Sequence, residues 1–383
     1  MSGGMPPLSH PPMSHPMLPE ASHDEMAQQL FVRDLKMWLG SEIEPLQGEL
    51  ARKLDPGTTH NDRDAETFAR LHEEPAFRAW AGTFRASQEL MWDDVWHSVE
   101  RQGEALDALA DEATLGSLTL DPDFTPPAYL VDGHVHIMPG GYTFDAPGVR
   151  QGAMMDRGGA VYMLGRNGGF LNDGRGKTVL GHLYALYPDF QPQRILELGC
   201  GVGTSLVPLA QAFPDAETYG LDVGASMLRY ARARASHMGA AIHFVQGDAE
   251  HAPFPDAGFD LVFSAALMHE TSAEAISRIL AESRRLLRPG GVAIHLEVPS
   301  RYNSLDLWSQ IRSQVERDYN NEPAWQAATS ADYDALMRAA GFADVAVGFQ
   351  DAAWAPQPGQ GGFGGESKGV FRSWFVASGR RPA

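Results

Sequence analysis

The stretch Arg194-Ile-Leu-Glu-Leu-Gly-Cys-Gly-Val-Gly-Thr-Ser205 decides how the rest of the chain is read. Ile195, Leu196 and Leu198 form a short apolar run, as a strand covered on both faces presents. Gly199, Gly201 and Gly203 follow at alternate positions and make a turn whose backbone a ligand can approach closely. Residues 205–213 then place Leu206, Leu209, Ala210 and Phe213 on one face of a helix. Pro208 falls in its first turn, where its missing N–H would have no partner. The whole reads as strand, glycine turn and helix, with a helix N-terminus that favours a negative group at the loop.

Downstream the pattern alternates between strand and helix. Strands are expected at residues 216–222, 242–246, 259–264, 291–297, 345–349 and 371–377, and helices at 223–236, 273–287 and 330–341, the last capped by Ser330. Such alternation marks a parallel, doubly wound sheet. A helix pair expected at 302–326 interrupts the rhythm, and a glycine-rich loop covers 357–369. Two nucleotide-binding patterns compete for the glycine turn. A dinucleotide fingerprint reads G-x-G-x-x-G. Here Thr204 stands where its third glycine belongs, which disfavours a nicotinamide dehydrogenase.

Glu197-Leu-Gly-Cys-Gly-Val-Gly203 instead resembles E/D-x-G-x-G-x-G, the first motif of class I S-adenosylmethionine (SAM)-dependent methyltransferases of the small-molecule type. Gly220-Leu-Asp222, Gln246-Gly-Asp-Ala249, Phe259-Asp-Leu-Val-Phe263 and Leu287-Arg-Pro-Gly-Gly291 follow in the order this family shows. The resemblance covers about residues 178–378. It implies an α/β fold, a Rossmann-like, doubly wound, mostly parallel seven-stranded sheet, with SAM as cofactor. The turn of Gly199, Cys200, Gly201 and Gly203 would hold the methionine part of SAM. Glu197 would accept from the loop or the ligand's ammonium. Asp222 would take the ribose hydroxyls, as an acidic residue does in dinucleotide folds. Val223 and Met227 would pack near the adenosine. Asp248 would accept from the adenine amino group, and Ala249 would offer its backbone N–H.

Residues 264–271 follow the fourth strand, where the methyl group should face the acceptor. Ser264 is counted with the cofactor residues. His269, as a neutral imidazole, is the candidate base, with Glu270 as the alternative. Tyr302 and Trp308 lie where this family commonly places a substrate lid, at residues 300–328.

The 383 residues suffice for two domains or one with a large extension. A net charge of −19 argues against nucleic acid and against an anionic membrane surface. Cys200 is the only cysteine, which excludes an internal disulfide and fits a cytoplasmic protein. No apolar run is long enough to span a bilayer. Residues 1–23, rich in Pro, Ser, Met and His, read as a disordered tail. Residues 24–112 read as a helical domain, with Gly40 ending a first helix and one long helix over 74–110. Residues 113–177 read as an irregular or β connecting region, with strands or extended loops at 128–131, 135–138 and 160–164. His134 and His136 fall on one face of such a strand and are expected to line the substrate pocket. No further ligand stands at a recognisable spacing, so no metal is assigned.

These observations lead to a SAM-dependent methyltransferase that acts on an oxygen, nitrogen or carbon of a small-molecule acceptor. A homodimer is expected. The alternatives are a protein methyltransferase and a non-catalytic scaffold that binds SAM or S-adenosylhomocysteine.

Overall fold

The computed structural model describes residues 14–57, 63–131, 134–162, 167, 169–298, 306–369 and 371–383. Five helices come first: α1 (His23–Trp38), α2 (Glu44–Leu54), α3 (Arg63–Leu71), α4 (Pro75–Arg101) and α5 (Gly103–Asp111). A capping box between Ser22 and Glu25 satisfies the first N–H groups of α1. Gly40 does not stop this helix. A π-helical turn, Leu39–Ile43, carries the chain through it into α2. The single helix expected over 74–110 breaks at Gln102, whose φ is −111°.

Next come β1 (Ser117–Thr119), α6 (Ala128–Val131), a 3-10 turn at Val135–Ile137, α7 (Arg150–Tyr162) and α8 (Gly174–Leu186). The strands or extended loops expected at 128–131 and 135–138 are therefore helical, as are residues 160–162 of the third; residues 163–164 lie outside the described residues. Glycines that look like loop residues are there for close packing. A Cβ on Gly152 would sit 2.3 Å from Tyr230 Cβ, and one on Gly158 would sit 2.2 Å from Trp92 Cζ3. Small residues let α7 lie directly against those rings.

The alternating region supplies β2 (Arg194–Leu198), α9 (Leu206–Ala212), β3 (Glu217–Asp222), α10 (Ala225–His237), β4 (Ile242–Gln246), β5 (Phe259–Ala265), α11 (Ala273–Leu286) and β6 (Leu287–Glu297). It continues with α12 (Leu307–Tyr319), α13 (Trp325–Ser330), α14 (Tyr333–Ala339), β7 (Ala343–Asp351), β8 (Phe363–Gly364) and β9 (Ser373–Arg380). Asp332 caps α14, accepting from the Ala335 N–H at 3.0 Å, in place of the expected Ser330. One nine-stranded sheet runs β1-β4-β3-β2-β5-β6-β9-β7-β8. Its strands are parallel from β1 to β6 and antiparallel from β6 through β9 and β7 to β8. The seven expected strands are all present. The two short ones, β1 and β8, flank them.

Apolar side chains leave both faces of the central strands, as a sheet between helix layers requires. Ile195, Leu261 and Ile294 pack with α8, α9 and α10 on one face. Leu196, Val262 and Ala293 pack with α11 and α14 on the other. A third cluster, with Trp92, Val95, Met154 and Tyr230, joins α4 and α7 to α10. A fourth joins Phe77 and Trp80 to Ile311 and Val315 of α12.

The expected disordered tail needs correction for residues 14–22; residues 1–13 lie outside the described residues. Met17 is fully buried. Its carbonyl accepts from the Tyr230 hydroxyl at 2.9 Å. His15 Nε2 lies 3.0 Å from the buried Asp156, which also holds Arg234 at 3.0 Å. Polar composition hid an anchor made by a few residues. Among the described residues, no helix is long and apolar enough to cross a membrane.

Candidate functional site

Open α/β sheets offer a crevice at the carboxyl ends of their strands, where the strand order switches. Here that point lies between β2 and β5, and a pocket opens there. Its first half is the turn after β2. Gly199, Gly201 and Gly203 take φ values of 67°, 50° and 76°, a region that side chains disfavour. A Cβ on Gly199 would also meet Leu267 at 2.5 Å. The turn is tied to the end of β3. Asp222 Oδ2 accepts from the Gly201 N–H at 2.8 Å, and Oδ1 accepts from the Gly224 N–H at 2.9 Å. Asp248 and Ala249, after β4, complete this wall.

Glu197 is 1% exposed, and its Oε2 has no hydrogen-bond partner among the described residues. Burial and the nearby Asp222 push its carboxyl well above the usual range, against the pull of the Arg175 guanidinium. Arg175, on the first turn of α8, is half-buried, and its buried Nε has no hydrogen-bond partner among the described residues. An orphaned carboxylate oxygen and an orphaned guanidinium N–H thus face the same pocket. That pair matches a ligand with both an ammonium and a carboxylate, as the methionine end of SAM has.

The second half is walled by α4, α7 and the loop after β5. His136 stands at its centre. Its backbone is left-handed, φ 56°, as is that of Ile137, φ 58°. Such conformations cost free energy in non-glycine residues and persist only where the surroundings impose them. The Trp92 indole N–H and the Gln88 amide both donate to the His136 carbonyl, at 2.8 and 3.0 Å. The His136 ring bridges two acids: Nε2 is 2.9 Å from Glu270 Oε1, and Nδ1 is 3.0 Å from Glu322 Oε1. His269 Nδ1 is 2.9 Å from Glu297 Oε2, and its Nε2 is 3.4 Å from Glu270 Oε1. Tyr142 donates to Glu270 at 3.0 Å.

Burial works against charge on His269, but Glu297 and Glu270 outweigh it and hold the imidazole up at about 9. His136 is raised well above its ordinary value, with Glu322 and Glu270 overcoming burial. Glu270 is held down to about 2, because the two imidazoles prevail over its burial. The neutral His269 expected from the sequence is therefore not the form this cluster favours near neutral pH.

The structure brings Glu197, Gly199, Cys200, Gly201, Asp222, Val223, Asp248, Ala249, His136, His269 and Glu270 to the pocket lining. It places others elsewhere. Met227 is fully buried in the α4–α7–α10 cluster, because its position on α10 faces that cluster. Gly203 packs behind the turn, near Phe244 and Ala231. Ser264 points away, 2.9 Å from His295 Nδ1. His134 is exposed and does not share a face with His136, since the expected strand is a 3-10 turn. Trp308 packs on Trp80 and donates to Glu44. Tyr302 lies outside the described residues. Sequence reasoning missed Arg175, Tyr142, Glu297 and Glu322. Glu297 ends β6 and Arg175 opens α8, two positions next to the crevice that could have singled them out.

A profile described as a methyltransferase domain matches residues 195–291. An uncharacterized methyltransferase of Synechocystis sp. is 33% identical over 153 residues, 40% of this chain and 68% of that protein. The chain belongs to the class I SAM-dependent methyltransferase family. Other methyltransferases are similar over shorter stretches. A fatty-acid O-methyltransferase of Mycolicibacterium smegmatis is 37% identical over 122 residues, 32% of this chain and 43% of that one. A demethylmenaquinone methyltransferase of Thermus thermophilus is 38% identical over 108 residues, 28% of this chain and 48% of that one. The chain spans about half the length of these last two relatives. Human N-acetylserotonin methyltransferase in complex with SAM aligns with a TM-score of 0.41 at 16% identity, covering 61% of this chain and 56% of that one. The match of the methyltransferase domain begins at Ile195 and ends at Gly291. The pocket walls on α4 and α7 lie outside it.

Proposed function

We propose that this methyltransferase moves the methyl group of SAM to a hydroxyl of a small-molecule acceptor. One observation carries the reading: the glycine turn and the imidazole–carboxylate cluster line one continuous pocket. When bound, SAM supplies an electrophilic methyl group on a sulfonium that is already activated. Glu197 and Arg175 would hold its methionine end, Asp222 the ribose, and Asp248 with Ala249 the adenine. Trp92, Tyr142 and Met155 would wall the acceptor and exclude water, which leaves alignment as the main task. His269, braced by Glu297, would accept the hydroxyl proton. It does so only in its unprotonated form, so the reading includes a rate that climbs as the solution turns alkaline.

We further propose a homodimer in the cytoplasm. Phe31 is 63% and Trp38 is 51% exposed on α1, more apolar surface than a lone helix usually leaves in water. Sedimentation or scattering of the full chain reads the oligomeric state directly.

Titration calorimetry with SAM, S-adenosylhomocysteine and NAD tests the cofactor half, and label transfer from methyl-tritiated SAM to a panel of hydroxylated, amine and protein acceptors tests the rest. Binding of the two adenosyl ligands and labelling of a hydroxylated compound is the expected result. Binding of NAD alone overturns the cofactor assignment, and label found only on protein overturns the acceptor class.

A further inference from the structure

We infer that His136, His269 and Glu270 form a divalent transition-metal site at the acceptor end of the pocket, with Glu322 beside it. The ε-nitrogens of both imidazoles converge on one oxygen, Glu270 Oε1, at 2.9 and 3.4 Å. One donor atom each from His136, His269, Glu270 and Glu322 lies within 4.8 Å of the others. Ligands about 2.0–2.2 Å from a shared ion stand roughly 3–4 Å apart, so small side-chain shifts suffice to close the site.

The far side of each ring is braced as well. Glu322 Oε1 holds His136 Nδ1 at 3.0 Å, and Glu297 Oε2 holds His269 Nδ1 at 2.9 Å. A carboxylate behind a metal-binding imidazole fixes both its tautomer and its aim. Glu270 Oε2 and Glu322 Oε2 are buried without a hydrogen-bond partner among the described residues, a loss of solvation that a cation would offset. The clamp of Trp92 and Gln88 on the His136 carbonyl makes the site rigid before any ion arrives. Two imidazoles and one carboxylate with an open position suit zinc, iron or cobalt better than calcium or magnesium. His136, His269 and Glu270 all line the pocket that the acceptor would fill.

The site's existence is independent of methyl transfer; its use rests on the transfer proposed above. In the loaded protein His269 would serve as a ligand of the ion, and the proton-accepting role given to it above belongs to the metal-free chain.

The full chain, stripped with chelator and titrated with Co2+ and Zn2+, tests this by visible absorption of bound cobalt and by metal content after dialysis. One equivalent per chain, with His136→Ala or Glu270→Gln weakening binding about tenfold or more, is the expected result. His269→Gln, which keeps the side chain polar, serves as a third variant, and unchanged SAM titration shows that each variant is folded. Substoichiometric uptake with no cobalt spectrum overturns the site. So does uptake that survives the His136→Ala/His269→Ala double variant, which would place the metal on other histidines. Loss of SAM binding by the wild-type chain would instead strike the methyl-transfer reading and leave the metal result standing.

Discussion

Asp222 Oδ2 accepts a hydrogen bond from the Gly201 N–H at 2.8 Å, so the end of β3 props the turn that follows β2. The carboxylate expected to bind ribose also shapes the glycine loop, and the two roles separate by substitution. Asp222→Ala removes both and should weaken SAM binding about a hundredfold, as the loss of charge-assisted hydrogen bonds does. Asp222→Asn keeps an oxygen that can serve the loop and should lose less. Calorimetry gives the affinities, and an unchanged far-ultraviolet dichroism spectrum certifies the fold. Equal affinity in all three proteins would remove Asp222 from the cofactor site.

Arg175→Met keeps the length of the side chain and removes its charge. Among the described residues its Nε has no hydrogen bond to lose. The variant should fold, bind SAM about tenfold or more weakly, and bind adenosine as the wild type does. Equal losses for SAM and adenosine would assign Arg175 to packing.

His269→Ala should leave SAM affinity within about twofold and slow transfer by about a hundredfold or more, the range in which proton-transfer groups operate. Single-turnover rates at saturating SAM decide it. A rate that matches the wild type would take His269 out of the chemistry.

Trp92→Phe keeps the aromatic wall and deletes the N–H that holds the His136 carbonyl at 2.8 Å. Gln88 still holds that carbonyl, so the loop should remain in place with more freedom. The expected signature is a transfer rate several-fold lower with SAM affinity unchanged, since misplacement at a reacting centre costs rate before it costs cofactor binding. Weakened SAM binding would put Trp92 on the cofactor side instead.

His182 lies fully buried between Ser378 Oγ at 2.9 Å and Gln350 Oε1 at 3.2 Å. Burial lowers its pKa from 6.5 to about 4. The folded state thus holds the neutral ring, and the unfolded chain takes up the proton first as pH falls. This contribution to stability is complete above about pH 6.5 and lost between there and about 4; at about 1.4 kcal/mol per unit it is on the order of 3 kcal/mol. Denaturant melts at pH 7 and 4.5 should show a smaller loss for His182→Gln than for the wild type. Equal losses would mean that the ring is not neutral in the fold.

The glycine-turn half of the pocket was legible because most of its residues arrive in a fixed order, each at a strand end. Glu197, the glycines, Asp222 and Asp248 all read from local pattern. The other half was legible only at His269 and Glu270, after β5, because its remaining parts come from α4, the 3-10 turn, α7 and the segment after α12. No spacing links Trp92 to His136 or His136 to Glu322. His136 itself was found for a reason that failed. Alternation suggested a strand that would pair it with His134, whereas a left-handed backbone turns it alone into the pocket. Met227 shows the opposite limit: the helix was placed well, but the face it turns inward depends on a partner, α7, that read as loop. Glycine, which signalled a turn at 199–203, meant close helix contact at 152 and 158.

The bond from the Tyr230 hydroxyl to the Met17 carbonyl spans 213 residues of chain. During synthesis, the segment that carries α4 and α7 is finished long before α10, against which it packs, leaves the ribosome. The apolar faces of α4 and α7 must therefore wait without their partner, and the last contacts to close are among the most distant in sequence. Such topology slows folding and exposes sticky intermediates. A chain cut to the SAM-binding half would meet the reverse problem: Tyr230, Met227 and Ala233 would face water, and β4 would lose β1 and regain an open edge.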